Sequence, residues 1–84
     1  MQDIKIYFKD YCPYCQAAKA QLNKLGWQYT EIDVQDDKKA FAEMVALSGR
    51  KTVPQIFIAG DHIGGFDDFQ HYLKQLSTLS LDNG

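Results

Sequence analysis

Cys12-Pro13-Tyr14-Cys15 is the stretch that decides the fold and the chemistry of this 84-residue chain. It stands where an alternating strand pattern gives way to a helical one, and proline is favoured at the first position of a helix. The two cysteines are the only ones in the chain. Because residues three apart lie on one face of a helix, their sulfurs can bond without a change in the backbone. The spacing therefore predicts reversible thiol–disulfide chemistry.

The two cysteines are expected to lie in different environments. As the N-cap of the helix, Cys12 faces the free amides of the first turn, and these amides and the helix dipole favour the thiolate that attacks disulfides. Cys15 begins an apolar stripe that continues at Ala18 and Leu22, which predicts its burial. We therefore expect Cys12 to be an exposed nucleophile and Cys15 a buried resolving thiol. Lys9 is either a further activating charge or an ordinary solvated lysine.

Outward from the cysteines, apolar periodicity predicts the element order β-α-β-α-β-β-α. Strand patterns occur around residues 4–9, 29–34, 54–58 and 62–63. Helical patterns run from about Pro13 to Leu25, from Gln35-Asp36-Asp37 to Gly49, and from Phe66 to a polar tail that begins at Ser77 and is expected to fray. Two strands joined by a crossover helix, with a hairpin added later, imply an α/β fold with a four-stranded mixed sheet flanked by three helices.

Size and composition predict a single domain that spans residues 1–84. The net charge of −2 gives no electrostatic reason to expect a nucleic-acid partner. The N-terminus alternates and lacks the apolar run of a signal peptide, and no stretch reaches transmembrane length. We therefore expect a protein of the reducing cytoplasm with no membrane partner. In that compartment a close cysteine pair is catalytic or metal-binding more often than structural.

Three motifs, taken in order, resemble those of a dithiol glutaredoxin of the thioredoxin superfamily. They are Cys12-Pro13-Tyr14-Cys15 near the N-terminus, Thr52-Val53-Pro54 before a strand, and Gly64-Gly65 followed by Asp67-Asp68. The resemblance covers essentially the whole chain. It implies a thioredoxin fold and a glutathione-dependent enzyme that reduces protein–glutathione mixed disulfides and protein disulfides.

The resemblance also implies two catalytic routes. Mixed disulfides with glutathione need only Cys12, whereas protein disulfides need Cys12 and Cys15. Glutathione is the cosubstrate, recycled by glutathione reductase, and no metal is expected. The implied partners are glutathionylated or disulfide-containing proteins, with ribonucleotide reductase as one candidate, and the chain is expected to be a monomer.

A groove for glutathione around the Cys12 sulfur is implied in the same way. In the family, a loop with a cis proline, matched by Pro54, offers the backbone of Val53 to the cysteinyl part of glutathione. The helix start at Asp67 and Asp68 receives the γ-glutamyl end, and Lys9 receives the glycyl carboxylate. The residues implied to bind glutathione are Lys9, Tyr14, Thr52, Val53, Pro54, Gly65, Asp67 and Asp68.

Plainer interpretations of these residues stay open. The Thr52-Val53-Pro54 segment is also a simple loop before a strand, and the two aspartates also suit helix capping. Arg50 and Lys51 are ranked below Lys9 as sources of steering charge. Phe66 departs from the small or polar residue of many relatives, and it is either a core anchor or a residue that reshapes the glutamyl end of the groove.

Three other functions are weighed against this one. Zinc binding would draw its ligands from Cys12, Cys15, His62 and His71, but the histidines are nine residues apart and no second close cysteine pair exists. A glutathione-ligated iron–sulfur cluster shared by two chains is an alternative, and by the resemblance Pro13 counts against it. A thioredoxin-like reductase partner is the remaining alternative, but its active-site motif and length differ.

Overall fold

Seven elements follow one another in the predicted order. The structure is a computed structural model that describes residues 3–83, with side chains described for residues 3–76. The elements are β1 (Ile4–Phe8), α1 (Pro13–Leu25), β2 (Thr30–Asp33), α2 (Lys38–Ser48), β3 (Gln55–Ile58), β4 (Asp61–Gly64) and α3 (Phe66–Asn83). The backbone of α3 runs through the segment from Ser77 for which the sequence predicts a polar tail. The side chains of that segment lie outside the described residues.

The boundaries of α1 and α2 follow from their end residues. Cys12 is the N-cap of α1, and its side chain accepts a hydrogen bond from the amide of Cys15. Gly26 ends the helix in the left-handed conformation, with φ of 74°, which a residue without a Cβ adopts at little cost. Asp37 caps α2 by accepting from the amide of Ala40 at 3.0 Å. These starts and stops confirm the sequence predictions.

The sheet is mixed, with strand order β2-β1-β3-β4. Strand β1 pairs with β2 in parallel and with β3 in antiparallel orientation, and β3 pairs with β4 in antiparallel orientation. A two-residue turn joins β3 to β4, in which Ala59 and Gly60 both have positive φ, as a type I′ hairpin turn requires. This arrangement confirms the predicted four-stranded α/β architecture.

Both faces of the central strands are buried, because helices cover each of them. One face packs on α1 and α3; its buried residues are Ile4, Ile6, Phe8, Ile56 and Ile58 of the strands with Cys15, Ala18, Leu22 and Phe69 of the helices. The other face packs on α2; its buried residues are Tyr7 and Phe57 of the strands with Ala40 and Met44 of the helix. Burial of each large apolar side chain stabilises the fold by about 1.5–3 kcal/mol.

The antiparallel pairing brings three segments that are distant in sequence to the same end of the strands of the sheet. Strand β1 ends at Phe8, shortly before Cys12, and its neighbour β3 begins at Gln55, directly after Pro54. Strand β4 ends at Gly64, whose partner in the register is Ile56 near the start of β3. The N-terminus of α1, the loop before β3 and the N-terminus of α3 therefore meet at this end of the strands.

Candidate active site

Cys12 and Cys15 are free thiols at the start of α1; Cys15 is buried as predicted, and Cys12 is more buried than the sequence indicates. The Cys12 sulfur accepts from the amide of Cys15 at 3.3 Å, and its thiol donates to the carbonyl oxygen of Val53 at 3.6 Å. Cys12 is only 8% exposed and Cys15 is fully enclosed at 0%. The prediction that Cys12 is exposed was wrong, because the loop at Val53 packs against it. The predicted order of exposure is confirmed.

Burial changes the acidity of the resolving thiol. The pKa of Cys15 is raised to about 12, mainly because its thiolate would lie in a desolvated environment. The hydrogen bond and the charge of Cys12 raise this pKa further, whereas the positive charge of Lys19 opposes them. Cys15 is therefore a protonated, unreactive thiol in the reduced protein at neutral pH.

This difference predicts selective alkylation. We expect iodoacetamide to modify Cys12 and to spare Cys15 in the folded protein from pH 7 to about 9, because only thiolates react and Cys15 stays protonated until the pH approaches about 12. Mass spectrometry of the digested protein reports the modified residue. Denatured protein is the control, in which both cysteines should react. Modification of Cys15 in folded protein at neutral pH would contradict the assignment.

An open groove of about 270 Å³ lies along the loop before β3; Cys12 is not among its lining residues, but its sulfur contacts the lining residue Val53. Its lining residues are Tyr14, Arg50, Thr52, Val53, Pro54, Gln55, Gly65, Phe66, Asp67 and Asp68. The peptide bond between Val53 and Pro54 is cis, as the resemblance implies. The groove thus gathers every residue predicted to bind glutathione except Lys9.

Lys9 lies apart from this lining. Its ammonium group is 5.8 Å from the centre of the Tyr11 ring and 5.9 Å from the centre of the Phe41 ring. The backbone carbonyl of Lys9 accepts from the amide of Cys12 at 3.2 Å, which helps to shape the turn before α1. A role for its charge at the glycyl carboxylate stays a prediction.

The start of α3 is organised by one carboxylate. Gly65 precedes the helix, and its carbonyl accepts the amide of Phe69 at 2.9 Å. Asp68 reaches back to accept from the amide of Gly65 at 3.0 Å and from the guanidinium group of Arg50 at 3.1 Å. These two donors, Gly65 first and Arg50 second, lower the pKa of Asp68. The plainer interpretation of Asp68 as a helix cap is thus confirmed, while Asp67 lies exposed beside it.

Gly64 is required by the same arrangement. Its φ of 122° belongs to a region that residues with a side chain rarely adopt, and a Cβ at this position would overlap the side chain of Asp68. Glycine here therefore leaves Asp68 in place over the amide of Gly65. The motif Gly64-Gly65 is explained by this close approach.

Phe66 both anchors α3 on the core and lines the groove, while its effect on the glutamyl end stays a prediction. Its half-buried ring packs against the core cluster of α1 and α3 and also lines the groove. There its centre is 6.1 Å from the centre of the exposed Tyr14 ring. The two aromatic rings form one wall of the groove.

Sequence reasoning ranked one groove residue too low and missed another. Arg50 lines the groove and pairs with Asp68, whereas Lys51 is not among the lining residues. The neighbouring Gln55 is almost completely buried and was not singled out. A glutamine at the start of an otherwise apolar strand was the signal that could have identified it.

Among the residues that the structure describes, no three His, Cys, Asp or Glu side chains cluster as a set of metal ligands. His62 lies in β4 and contacts Gln55, while His71 is exposed on α3. No helix in the described part of the chain combines the length and apolarity needed to cross a membrane.

Comparison with known proteins agrees with this geometry. The family model described as glutaredoxin matches residues 4–63. Glutaredoxin 3 of Escherichia coli K12 is 47% identical over 68 residues, which cover 81% of this chain and 82% of the relative. The solution structure of glutaredoxin from Brucella melitensis is 43% identical with a TM-score of 0.76, covering 94% of this chain and 86% of that one. The crystal structure of a buckwheat glutaredoxin–glutathione complex is 30% identical with a TM-score of 0.79, and the match covers 88% of this chain and 70% of that one.

Proposed function

Since this chain belongs to the glutaredoxin family and is a glutathione-dependent thiol–disulfide oxidoreductase, we propose that Cys12 is its nucleophile and that glutathione binds in the adjoining groove. The observation that carries the proposal is the position of the Cys12 sulfur. It lies at the N-cap of α1 and contacts the carbonyl oxygen of Val53, which lines the groove. A disulfide whose glutathionyl half lies along Val53 in the groove therefore has its sulfur–sulfur bond near the Cys12 sulfur.

The first route uses one protein cysteine. The Cys12 thiolate attacks the glutathionyl sulfur of a protein–glutathione disulfide, the sulfur–sulfur bond breaks, and the protein thiolate leaves and takes up a proton. Glutathione is then bonded to Cys12. A second glutathione, as thiolate, attacks the glutathionyl sulfur and releases oxidised glutathione and the Cys12 thiolate. The net reaction converts one mixed disulfide and one free glutathione into the protein thiol and oxidised glutathione.

The second route also uses Cys15. Cys12 attacks a protein disulfide and forms a mixed disulfide with the target, and Cys15 then attacks Cys12 and releases the reduced target. The thiolate charge of Cys12 is one cause of the raised pKa of Cys15. That cause disappears once Cys12 is bonded to the target, while the charge of Lys19 persists. Cys15 therefore becomes a better nucleophile at the step that needs it.

The groove offers matching groups for the tripeptide. The backbone of Val53 can pair with the extended cysteinyl part as an added strand. The free amides at the start of α3 suit the γ-glutamyl carboxylate, and Asp67 suits its ammonium group. Tyr14 lines the groove with its ring against that of Phe66, and Lys9 is the proposed cation for the glycyl carboxylate. That buckwheat glutaredoxin was solved as a complex with glutathione supports glutathione as the ligand.

The setting of the reaction is proposed on the same basis. Glutathione serves as cosubstrate and is recycled by glutathione reductase, and neither route needs a metal. The protein targets are glutathionylated or disulfide-containing proteins. We place the protein in the cytoplasm, where reduced glutathione is abundant, and expect it to act as a monomer.

The proposal predicts a preference for the γ-glutamyl unit. We expect kcat/KM for a peptide disulfide-bonded to glutathione to exceed that for the same peptide bonded to cysteinylglycine by about tenfold, the equivalent of one charge-assisted contact. Replacing the exposed acid by Asp67→Asn should lower this ratio severalfold, because the ammonium group loses its partner while the carboxylate keeps the amides of α3. Both adducts are assayed with glutathione and glutathione reductase.

Asp61→Asn is the matched control, because this exposed aspartate of β4 is not among the lining residues of the groove. It should keep the wild-type ratio. Equal turnover of the two adducts by the wild type, or the same change of ratio in both variants, would refute binding of the γ-glutamyl unit at α3.

A further inference from the structure

A buried glutamine stands where the fold calls for an apolar residue. Gln55 begins β3 and is 1% exposed. Among the described side chains, it is the one polar residue that is buried. Its partner across the sheet is Tyr7, and the next residue on its face is Phe57. A buried amide without partners is costly, so its hydrogen bonds have to be accounted for.

All the hydrogen bonds of this amide run to the edge of the groove or to the hairpin. The amide nitrogen of Gln55 donates to the carbonyl oxygen of Thr52 at 3.1 Å and to its hydroxyl at 3.3 Å. The amide oxygen lies 2.7 Å from Nε2 of His62. Because the nitrogen of the amide is committed to Thr52, the oxygen is the acceptor, and His62 donates from Nε2.

The His62 ring is itself held in place. It stacks on Phe57 with ring centres 5.0 Å apart and lies in β4, opposite Phe57 in the register. The register shifts between Ile56 and Phe57, where the ladder becomes irregular. The ring of His62 reaches from there to the side chain of Gln55.

We propose that Gln55 and His62 are positioning residues that hold the Thr52-Val53-Pro54 loop at the correct distance from the Cys12 sulfur. The bonds run from His62 to Gln55 and from Gln55 to Thr52, whose neighbour Val53 accepts the thiol of Cys12. This inference rests on the proposed binding of glutathione along Val53. A methionine would fill the volume of Gln55, but it could not hold Thr52.

The consequence is that glutathione recognition depends on the side chains that hold the loop: His62 is not among the lining residues of the groove, and Gln55, which is, is only 1% exposed. A loop that is free to shift presents the Val53 backbone in the wrong place, and a displacement of about 1 Å near a reacting centre can cost as much as a hundredfold in rate. The reactivity of the Cys12 sulfur toward a small reagent does not need that backbone. Loss of the hydrogen bonds to the loop should therefore weaken turnover of glutathionylated substrates and leave the reactivity of Cys12 toward a small reagent unchanged.

The test uses single variants of the full chain. Gln55→Met removes the amide at nearly constant volume, His62→Phe keeps the aromatic stack on Phe57 but removes the donor, and His62→Gln restores a donor. His71→Phe, on the exposed face of α3, is the matched control. For each variant we measure thermal unfolding, kcat/KM for a glutathionylated peptide, and the rate of Cys12 alkylation by iodoacetamide.

We expect Gln55→Met and His62→Phe to lower kcat/KM for the glutathionylated peptide by about tenfold, with alkylation of Cys12 changed by less than about twofold. His62→Gln should recover most of the loss, and His71→Phe should match the wild type. The double variant Gln55→Met with His62→Phe should be no worse than the poorer single variant, because both act through one chain of contacts.

The proposal is overturned if folded His62→Phe keeps kcat/KM within about twofold of the wild type, or if its rate of Cys12 alkylation falls as much as its kcat/KM. It is also overturned if the loss of kcat/KM in the double variant is the product of the losses in the two single variants. Should Gln55→Met not fold, the comparison of His62→Phe with His62→Gln decides by the same criterion. The wild-type preference for the glutathione adduct over the cysteinylglycine adduct separates the two proposals. If that preference holds while these variants behave as wild type, only the positioning role is wrong.

Discussion

Cys12→Ser is expected to lower turnover of both glutathionylated peptides and protein disulfides at least about a thousandfold, as loss of a nucleophile does in other enzymes. Both routes begin with attack by the Cys12 sulfur, and a serine hydroxyl is not ionised at neutral pH. The remaining thiol cannot replace it, because Cys15 is fully enclosed and its pKa is raised to about 12. The measurement is steady-state turnover with glutathione and glutathione reductase.

Cys12→Ser should fold as the wild type does, so that a loss of turnover reports the loss of the nucleophile. Serine is among the preferred N-cap residues, and its hydroxyl can accept from the amide of Cys15 as the sulfur does. Thermal unfolding should therefore remain close to that of the wild type. Residual turnover above about a tenth of the wild-type rate in a folded variant would place the nucleophile elsewhere.

Cys15→Ser is expected to separate the two substrates. Reduction of glutathionylated peptides should stay within a few-fold of the wild type, because free glutathione resolves the intermediate on Cys12. Reduction of protein disulfides should fall at least about a hundredfold, because the intramolecular attack that releases the target is lost. Assays of both substrates with the same enzyme preparation measure the contrast.

The variant should also trap its intermediate. A target protein should accumulate as a mixed disulfide with Cys12, visible by mass spectrometry without reductant. Cys15→Ala is the matched control for the environment, because position 15 is fully enclosed and a serine hydroxyl there needs a hydrogen-bond partner. Similar losses on both substrates in both variants would rule out the one-cysteine route.

Local signals were enough to predict the elements and most of their boundaries, but α3 continues to Asn83 through the segment from Ser77 that was expected to fray. Pro13 at the first position, Cys12 before it and Gly26 after the last turn mark α1, and the structure has the same bounds. Asp37 and Gly49 mark α2 in the same way. These signals act over three or four residues, through capping hydrogen bonds and backbone conformation, so a sequence contains them directly. The alternating strands and the order of the elements followed from the same kind of evidence.

The candidate site was predictable only in part. Six of its residues in the loop before β3 and at the start of α3 were expected from the resemblance, and all of them line the groove: Thr52, Val53, Pro54, Gly65, Asp67 and Asp68. The partner of Asp68 was not expected, because Arg50 is eighteen residues away along the chain. The importance of Arg50 relative to Lys9 depends on how the loop and α3 meet.

The burial of Cys12 was also beyond local evidence. Its position before a helix predicts an exposed sulfur, since N-cap residues lie at helix ends. The carbonyl that covers it belongs to Val53, forty-one residues away. Only the antiparallel pairing of β1 with β3 brings that loop onto the start of α1.

The sequence by itself predicted the order of the elements, the bounds of α1, which two sulfurs lie together at its start, and which of them is more buried. Apolar periodicity, helix caps and the spacing of Cys12 and Cys15 involve residues that are close in sequence. They can therefore be recognised without the tertiary structure. The tertiary structure alone decided how enclosed Cys12 is, that Arg50 holds Asp68, and that Gln55 links His62 to Thr52 of the loop. Those facts depend on distances between elements remote in sequence, which the strand order and the packing of the sheet against its helices set.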